Sequence, residues 1–416
     1  MANREKVYLV GIQRQAETRS QAERSLRELI QLTKTAGGEI TGQTFQHIKR
    51  IDPTYFIGSG KVGELAKIVK EKSVDLVIID DDLSPAQQAH LEQEIGVRMV
   101  DRTGLILDIF AHRAKSREGK LQVDLAQMIY LLPRLKGHGV LMSRLGGGIG
   151  TRGPGETKLE VDRRTIRDRI SRLRSEISGV QKTRELHRSK RQGIPLPIVT
   201  LVGYTNAGKS TLLNSLSGAN VLTEDKLFST LDPTTRQVWL PNKQKCLLTD
   251  TVGFIKKLPV QLVDAFKATL EEVTESDLIC HLIDVSDPEF EAKIDVVDDI
   301  LHSLGASGTP VLYVYNKVDV SQDPRFIFLS HKRRHPYVMI SAQQKINLGG
   351  LLEKIESQLS HFTETLELKI PIEDQKTIAH IFELGHVLEQ RYFRKSVCLK
   401  VTMSKRMANL LRKQYP

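Results

Sequence analysis

Gly203-Tyr204-Thr205-Asn206-Ala207-Gly208-Lys209-Ser210 fits the pattern G-x-x-x-x-G-K-[ST]. The run before it, Ile198-Val199-Thr200-Leu201-Val202, is apolar and predicts a buried strand. The run after it, Ser210-Thr211-Leu212-Leu213-Asn214-Ser215-Leu216, predicts a helix. A strand, a glycine-rich turn and a helix N-terminus together make a phosphate cradle. The glycines let backbone N–H groups turn inward, and the helix end adds partial positive charge. Lys209 is placed to neutralise β- and γ-phosphates, and the Ser210 hydroxyl to ligate Mg²⁺. A mere turn is the alternative, and the flanking strand and helix disfavour it.

Three later segments name the base. Leu247-Leu248 leads into Asp250-Thr251-Val252-Gly253, a D-x-x-G at a strand end. Asp250 is placed to hold Mg²⁺ through water, and the Gly253 N–H to meet the γ-phosphate. Val311-Leu312-Tyr313-Val314-Tyr315 leads into Asn316-Lys317-Val318-Asp319, an N-K-x-D. A carboxylate at Asp319 accepts from both N1–H and the 2-amino group of guanine. Adenine offers neither donor and would leave the carboxylate unpaired. Tyr337-Val338-Met339-Ile340 leads into Ser341-Ala342-Gln343, the place of a loop whose backbone meets the guanine oxygen. Gln343 departs from the usual Lys or Arg there. Each motif alone is weak, but four in this order, each at a strand end, predict a GTPase.

The chain has 416 residues, 40% hydrophobic and 27% charged, enough for several separately cored domains in a soluble globular protein. A formal net charge of +11 is a solubilising surface or the footprint of a polyanionic partner. Cys246, Cys280 and Cys398 sit in apolar strand-like runs without metal spacing, so buried reduced thiols are expected. No H-x-x-x-H pair supports a zinc enzyme. No N-terminal leader and no long apolar span is found, so the expected location is the cytoplasm.

The fold class expected is α/β and multidomain: a P-loop GTPase domain with a mostly parallel sheet, an N-terminal α/β domain, a helical hairpin and a small C-terminal α+β domain. The boundaries expected are 1–114, 115–192, 197–361 and 362–416. In the first, strands and helices alternate from Lys6 to Phe110, which argues a largely parallel sheet. Gly58-Ser59-Gly60-Lys61 reads as a turn and helix start, and Ser84-Pro85-Ala86-Gln87 as a capping box. Asp80-Asp81-Asp82 reads as a solvated strand end rather than a metal site.

Beyond Lys115, two apolar seams appear: Leu121, Leu125, Met128 and Leu132, then Leu159, Ile166, Ile170, Leu173, Ile177 and Val180. Their spacing suggests a helical hairpin, partly coiled-coil. The second helix carries Arg163, Arg164, Arg167, Arg169, Arg172 and Arg174. They are a solvated face or an RNA contact. The stretch between the helices, 137–156, is glycine-rich and includes Arg144 and Arg152. Thin and cationic, it suits a narrow polyanionic site. The RNA-contact candidates are Arg144, Arg152, Arg163, Arg167 and Arg174.

With these residues the chain resembles the HflX family of translational GTPases over nearly its whole length. The resemblance rests on Gly203–Ser210, on Phe228-Ser229-Thr230-Leu231-Asp232-Pro233-Thr234-Thr235-Arg236, and on Asp250–Phe254. It rests more specifically on Asp101-Arg102-Thr103 and on Arg152 through Glu160. The resemblance implies a GTPase that binds the large ribosomal subunit and splits stalled ribosomes. It also implies that the N-terminal part reaches toward the peptidyl-transferase region, that Phe228–Asp232 contact GTP, and that Thr230 is a first-switch Mg²⁺ ligand. The expected partners are GTP or GDP and the large subunit, for a monomer with no stable membrane insertion. A regulatory module recruiting proteins or a membrane surface is the alternative. Phe254 stands where many GTPases place the glutamine that orients water, so slow intrinsic hydrolysis is expected. Catalysis then draws on Lys209, Gly253 and outside groups. Asn206 resembles the asparagine that holds K⁺ in some GTPases lacking that glutamine. Otherwise it only shapes its loop.

Overall fold

The computed structural model describes residues 4–135, 158–191, 196–218, 227–228, 230–257, 272–320, 335–360 and 363–415. The glycine-rich stretch with Arg144 and Arg152, and Ser229, lie outside them. The chain divides into two compact units between Val180 and Gln181.

The first unit begins with β1 (Lys6–Arg14), α1 (Arg19–Ala36), β2 (Glu39–Ile48), α2 (Ser59–Lys72), β3 (Leu76–Ile79), α3 (Pro85–Ile95), β4 (Arg98–Asp101) and α4 (Arg102–Arg113). The sheet order is β2-β1-β3-β4, every pair parallel. Period-two alternation along β1 sends Tyr8, Val10 and Ile12 to one face, against Val62, Leu65 and Val69 of α2 and Leu91 and Ile95 of α3. On the other face Gly11 leaves room for Phe45 and Leu26: a Cβ there would lie 2.9 Å from the Phe45 ring. Thr18 and Ser84 each close a capping box with a glutamine at N3, which starts α1 and α3 where the sequence places them. Gly58 precedes α2 as its N-cap, so Gly58-Ser59-Gly60-Lys61 is a helix start.

The acidic triplet differs from expectation. Asp80 and Asp81 are buried. Arg102, at the N-terminus of α4, donates to Asp80 at 2.7 Å and pairs with Glu28 of α1. Arg14 forks onto Asp81 at 2.9 and 3.0 Å, and Thr103 donates to Asp82 at 2.5 Å. Burial works against the Arg102 charge, but Glu28 and Asp80 overcome it and hold the guanidinium well above its usual range.

α5 (Arg117–Leu131) and α6 (Lys158–Arg191) follow. Leu121 and Leu125 pack against Ile166, Ile170 and Leu173, with Met128, Leu132, Ile177 and Val180 at the margin. The seam read from the sequence is the packing seam, though Leu159 has no described side chain. Arg167 and Arg174 are exposed beside it and Arg163 is half-buried. Past α5, Arg134 donates to Asp101 at 2.9 Å and to the Leu83 carbonyl at 2.7 Å, and stacks 3.7 Å over the Tyr130 ring.

The second unit holds β5 (Ile198–Gly203), α7 (Lys209–Ser217), β6 (Thr234–Trp239), β7 (Lys245–Asp250), β8 (Leu278–Asp284), β9 (Val311–Asn316) and β10 (Tyr337–Met339). They form one sheet, β10-β9-β8-β5-β7-β6, parallel except for the β6 edge. Val199, Leu201, Leu248, Cys280 and Leu312 form its centre, capped by Leu351 and Ile355 of the helix Leu348–Leu359. A three-stranded antiparallel sheet follows: β11 (Thr363–Pro371), β12 (His386–Tyr392) and β13 (Ser396–Ser404), in the order β11-β13-β12. The helices Gln375–Leu384 and Lys405–Gln414 supply Ile381, Met407, Ala408 and Leu411 to its core. Cys246 and Cys280 are buried and free as expected, and burial pushes the Cys246 thiol up to about 12. Cys398 is only half-buried.

Candidate functional site

Four strand ends converge at one edge of the six-stranded sheet, where parallel strands leave their carboxyl ends and the chain order reverses beside β5. The loop between β5 and α7 is held by its glycines. Gly208 has φ +96°, and a Cβ there would sit 2.3 Å from the Asn316 amide. Gly203 has φ +151°, and a Cβ there would lie 2.4 Å from the Leu282 carbonyl oxygen, so no side chain fits. Backbone bonds tie the loop to the D-x-x-G segment: Thr205 donates to the Phe254 carbonyl at 2.8 Å and Phe254 to that of Gly203 at 3.1 Å.

Lys209 is buried, with its ammonium on the Gly203 and Tyr204 carbonyls at 3.1 and 3.0 Å. Burial lowers its pKa to about 8, against the pull of Asp250. An arriving phosphate supplies negative charge that further favours the protonated ammonium. Thr205, Asn206, Gly208, Lys209, Ser210, Thr211, Phe228, Thr230, Thr251 and Gly253 line the cleft. Of these, Thr211 is the one the sequence motifs do not flag; its place one residue past the phosphate loop was the available signal.

Three oxygens meet beside the lysine. Ser210 donates to Asp250 Oδ2 at 2.6 Å, Thr230 to the same oxygen at 3.1 Å, and the two hydroxyls are 2.7 Å apart. Asp250 Oδ1 is buried and has no hydrogen-bond partner among the described residues. Burial raises the Asp250 pKa, opposed by Lys209, Ser210 and Thr230. A buried carboxylate oxygen with open lone pairs beside two hydroxyls is the donor set of a hard divalent cation, so these residues fit Mg²⁺. Among the described residues no group of three His, Cys, Asp or Glu side chains can hold a metal.

Asn316 braces the base-binding end. Its amide donates to the Ala207 carbonyl at 2.8 Å and its oxygen accepts from the Ala342 N–H at 2.9 Å. One side chain thus links the phosphate loop, the N-K-x-D segment and the Ser341-Ala342-Gln343 loop. Lys317 is fixed by Asp284 at 2.7 Å, an acid that no sequence motif singles out although it ends the apolar run of β8. Val318 is half-buried, while Asp319 and Gln343 are exposed. Phe228 and Leu231 are buried, and Asp232 is half-buried. Phe254 is buried at 2% exposure and takes no part in the cleft lining.

A doubly flanked phosphate loop with D-x-x-G and N-K-x-D at neighbouring strand ends defines a P-loop GTPase. Comparison with known proteins narrows this. Residues 198–317 match a family described as "50S ribosome-binding GTPase". Residues 23–111 match "GTP-binding GTPase N-terminal", and residues 113–191 "GTP-binding GTPase Middle Region". The GTPase HflX of Caldanaerobacter subterraneus subsp. tengcongensis is 50% identical over 390 residues, 94% of this chain and 90% of that one. The GTPase HflX of Escherichia coli is 41% identical over 382 residues, 91% of this chain and 89% of that one. The chain belongs to the HflX family of GTPases. A GTP-binding protein of Sulfolobus solfataricus, crystallised with GDP, aligns at TM-score 0.46 and 25% identity over 86% of this chain and 99% of its own. Among the described residues no helix is long and apolar enough to cross a membrane.

Proposed function

We propose that this GTPase binds the large ribosomal subunit and dissociates stalled ribosomes, with GTP as the switch. The observation that carries the reading is the match of residues 198–317 to a family described as 50S ribosome-binding. GTP lies with its phosphates over the N-terminus of α7, and Lys209 and the loop N–H groups take up their charge. Ser210, Thr230 and, through water, Asp250 would hold Mg²⁺, which would supply charge neutralisation at the β- and γ-phosphates. Asp319 accepts from guanine, and the Ser341-Ala342-Gln343 backbone meets the guanine oxygen.

Thr230 and Gly253 are the residues that sense the γ-phosphate. GTP orders their segments and hydrolysis releases them. Phe254 cannot orient water, so hydrolysis is slow until the partner docks; Asn206 would be the residue to hold K⁺ if a monovalent cation assists, and otherwise shapes its loop. The protein acts as a monomer in the cytoplasm. Pelleting with separated ribosomal subunits tests the reading. Bound to a non-hydrolysable GTP analogue, the chain should sediment with the large subunit and not with anionic vesicles. Sedimentation with vesicles alone, or with neither, rejects it.

A further inference from the structure

The second residue of the phosphate loop is Tyr204. Phosphate chemistry leaves that position open, since it fixes only the glycines, the lysine and the hydroxyl residue of the loop. Tyr204 is buried all the same, yet it does not line the cleft. Its hydroxyl accepts from the Lys256 N–H at 2.6 Å, three residues past Gly253. The Lys293 ammonium, on the helix Phe290–Ser303, lies 4.4 Å from the centroid of the Tyr204 ring and is itself held by Asp287 at 2.5 Å. The Tyr204 carbonyl accepts from the Lys209 ammonium at 3.0 Å, and a parallel bridge joins Tyr204 to Phe254. One residue thus touches the phosphate-binding lysine, the D-x-x-G segment and a neighbouring helix.

The bond belongs to a closed arrangement of both switch segments. The Thr230 hydroxyl is 2.7 Å from that of Ser210. A Cβ on Gly253 would lie 2.9 Å from the Thr205 Cα and 3.1 Å from the Lys209 Nζ, so Gly253 is packed against the phosphate loop and its ammonium. Drawing the D-x-x-G segment off the loop breaks three bonds: Thr205 N–H to the Phe254 carbonyl, Phe254 N–H to the Gly203 carbonyl, and Lys256 N–H to the Tyr204 hydroxyl. Of these three, only the last is supplied by a side chain. It lies directly before Lys257, whose φ of +56° reverses the backbone. A phenylalanine would fill the same space. The hydroxyl adds a bond whose other end lies on the switch.

We infer that Tyr204 is a positioning residue for GTP hydrolysis: its hydroxyl latches the Lys256 N–H and so keeps Gly253 at the γ-phosphate, while Lys293 fixes the ring that carries the hydroxyl. Tyr204 touches no nucleotide atom and acts through the switch segment. The latch favours the closed segment, so it strengthens the hold on GTP over GDP and speeds the chemical step. The inference rests on the placing of Gly253 at the γ-phosphate, and the ribosome has no part in it.

The test uses the full chain alone, with fluorescent GDP, a fluorescent non-hydrolysable GTP analogue, single-turnover hydrolysis of labelled GTP, and hydrogen exchange at the Lys256 amide. Tyr204→Phe keeps the ring and removes the hydroxyl. Its affinity for the GTP analogue and its single-turnover rate should each fall about 3- to 10-fold, the worth of one hydrogen bond, while GDP affinity stays unchanged. The Lys256 amide should exchange faster in the analogue complex. Lys293→Met should give the same split at about two- to threefold, through the lost cation–π contact. It should add nothing in the Tyr204→Phe background, because its effect runs through the hydroxyl. Analogue and GDP affinities that fall together in Tyr204→Phe overturn the inference and make the residue a brace of the loop. So do affinities, rate and exchange that all match the parent. A parent chain whose exchange over 253–256 is the same with GDP and with the analogue defeats the γ-phosphate reading of Gly253, and the inference with it. A parent that distinguishes the two nucleotides while Tyr204→Phe changes nothing defeats the inference alone.

Discussion

Asp319 stands exposed while its neighbours are tied down, Asn316 by Ala207 and Ala342 and Lys317 by Asp284. A substitution at Asp319 therefore tests base recognition without loosening the site. Asp319→Asn should weaken GTP binding by about 10- to 100-fold, the loss of one to two charge-assisted hydrogen bonds, and favour xanthosine triphosphate, whose 2-oxo group accepts from the amide. Competition binding with the two nucleotides measures this, and an undiminished GTP preference refutes the assignment. Asn206 is exposed in the loop, lines the cleft and holds φ +64°. Hydrolysis should run faster in K⁺ than in Na⁺ at equal ionic strength, and Asn206→Ala should erase the difference. GDP affinity measured alongside separates a lost cation from a strained loop, and equal rates in both salts leave Asn206 a loop-shaping residue. At this scale the sequence was legible because each motif is contiguous. The two bonds of Asn316 were not, because its partners lie 109 and 26 positions away.

Strands and helices were legible for a related reason: periodicity and caps are local. The seam of α5 and α6 follows from spacing alone, and both capping boxes lie within four residues. The acidic run at the end of β3 shows the limit. From composition it reads as solvated, since three adjacent carboxylates repel. Its partners come from other elements, Arg14 from β1 and Arg102 and Thr103 from α4, and no local pattern announces them. Arg102, 1% exposed, joins α4 to β3 and to α1 through Asp80 and Glu28. Arg102→Met keeps the bulk and strands two carboxylates, so it should destabilise this sheet by about 3–5 kcal/mol. Urea titration followed by hydrogen exchange in α1 and β3 reads it locally. Nucleotide affinity should remain, because the substitution lies in the other unit. Loss of less than about 1 kcal/mol would mean that the pair contributes specificity rather than stability.

At the scale of the molecule, the nucleotide switch and the parts proposed to meet RNA occupy different stretches of chain, so they should fail separately. Arg163, Arg167 and Arg174 share one stripe of α6, at spacings of four and seven, beside the apolar seam. Replacing the three by Ala should weaken ribosome binding and lower its log–log salt slope by about 2 to 3, since each lost phosphate contact removes roughly one counterion. The seam supplies the packing, so α6 should stay folded. Residues 145–153, Leu145 through Gly153, belong to a run whose glycines give a narrow backbone and whose arginines give charge. Shortening this run should spare much of the binding, because α6 keeps its arginines, while abolishing subunit splitting. GTP affinity should be unchanged in both variants. Light scattering of ribosome dissociation beside a pelleting assay separates the two effects. A shortened protein that splits ribosomes at the parent rate would reduce the glycine-rich run to a linker and move the splitting activity to the remaining surfaces.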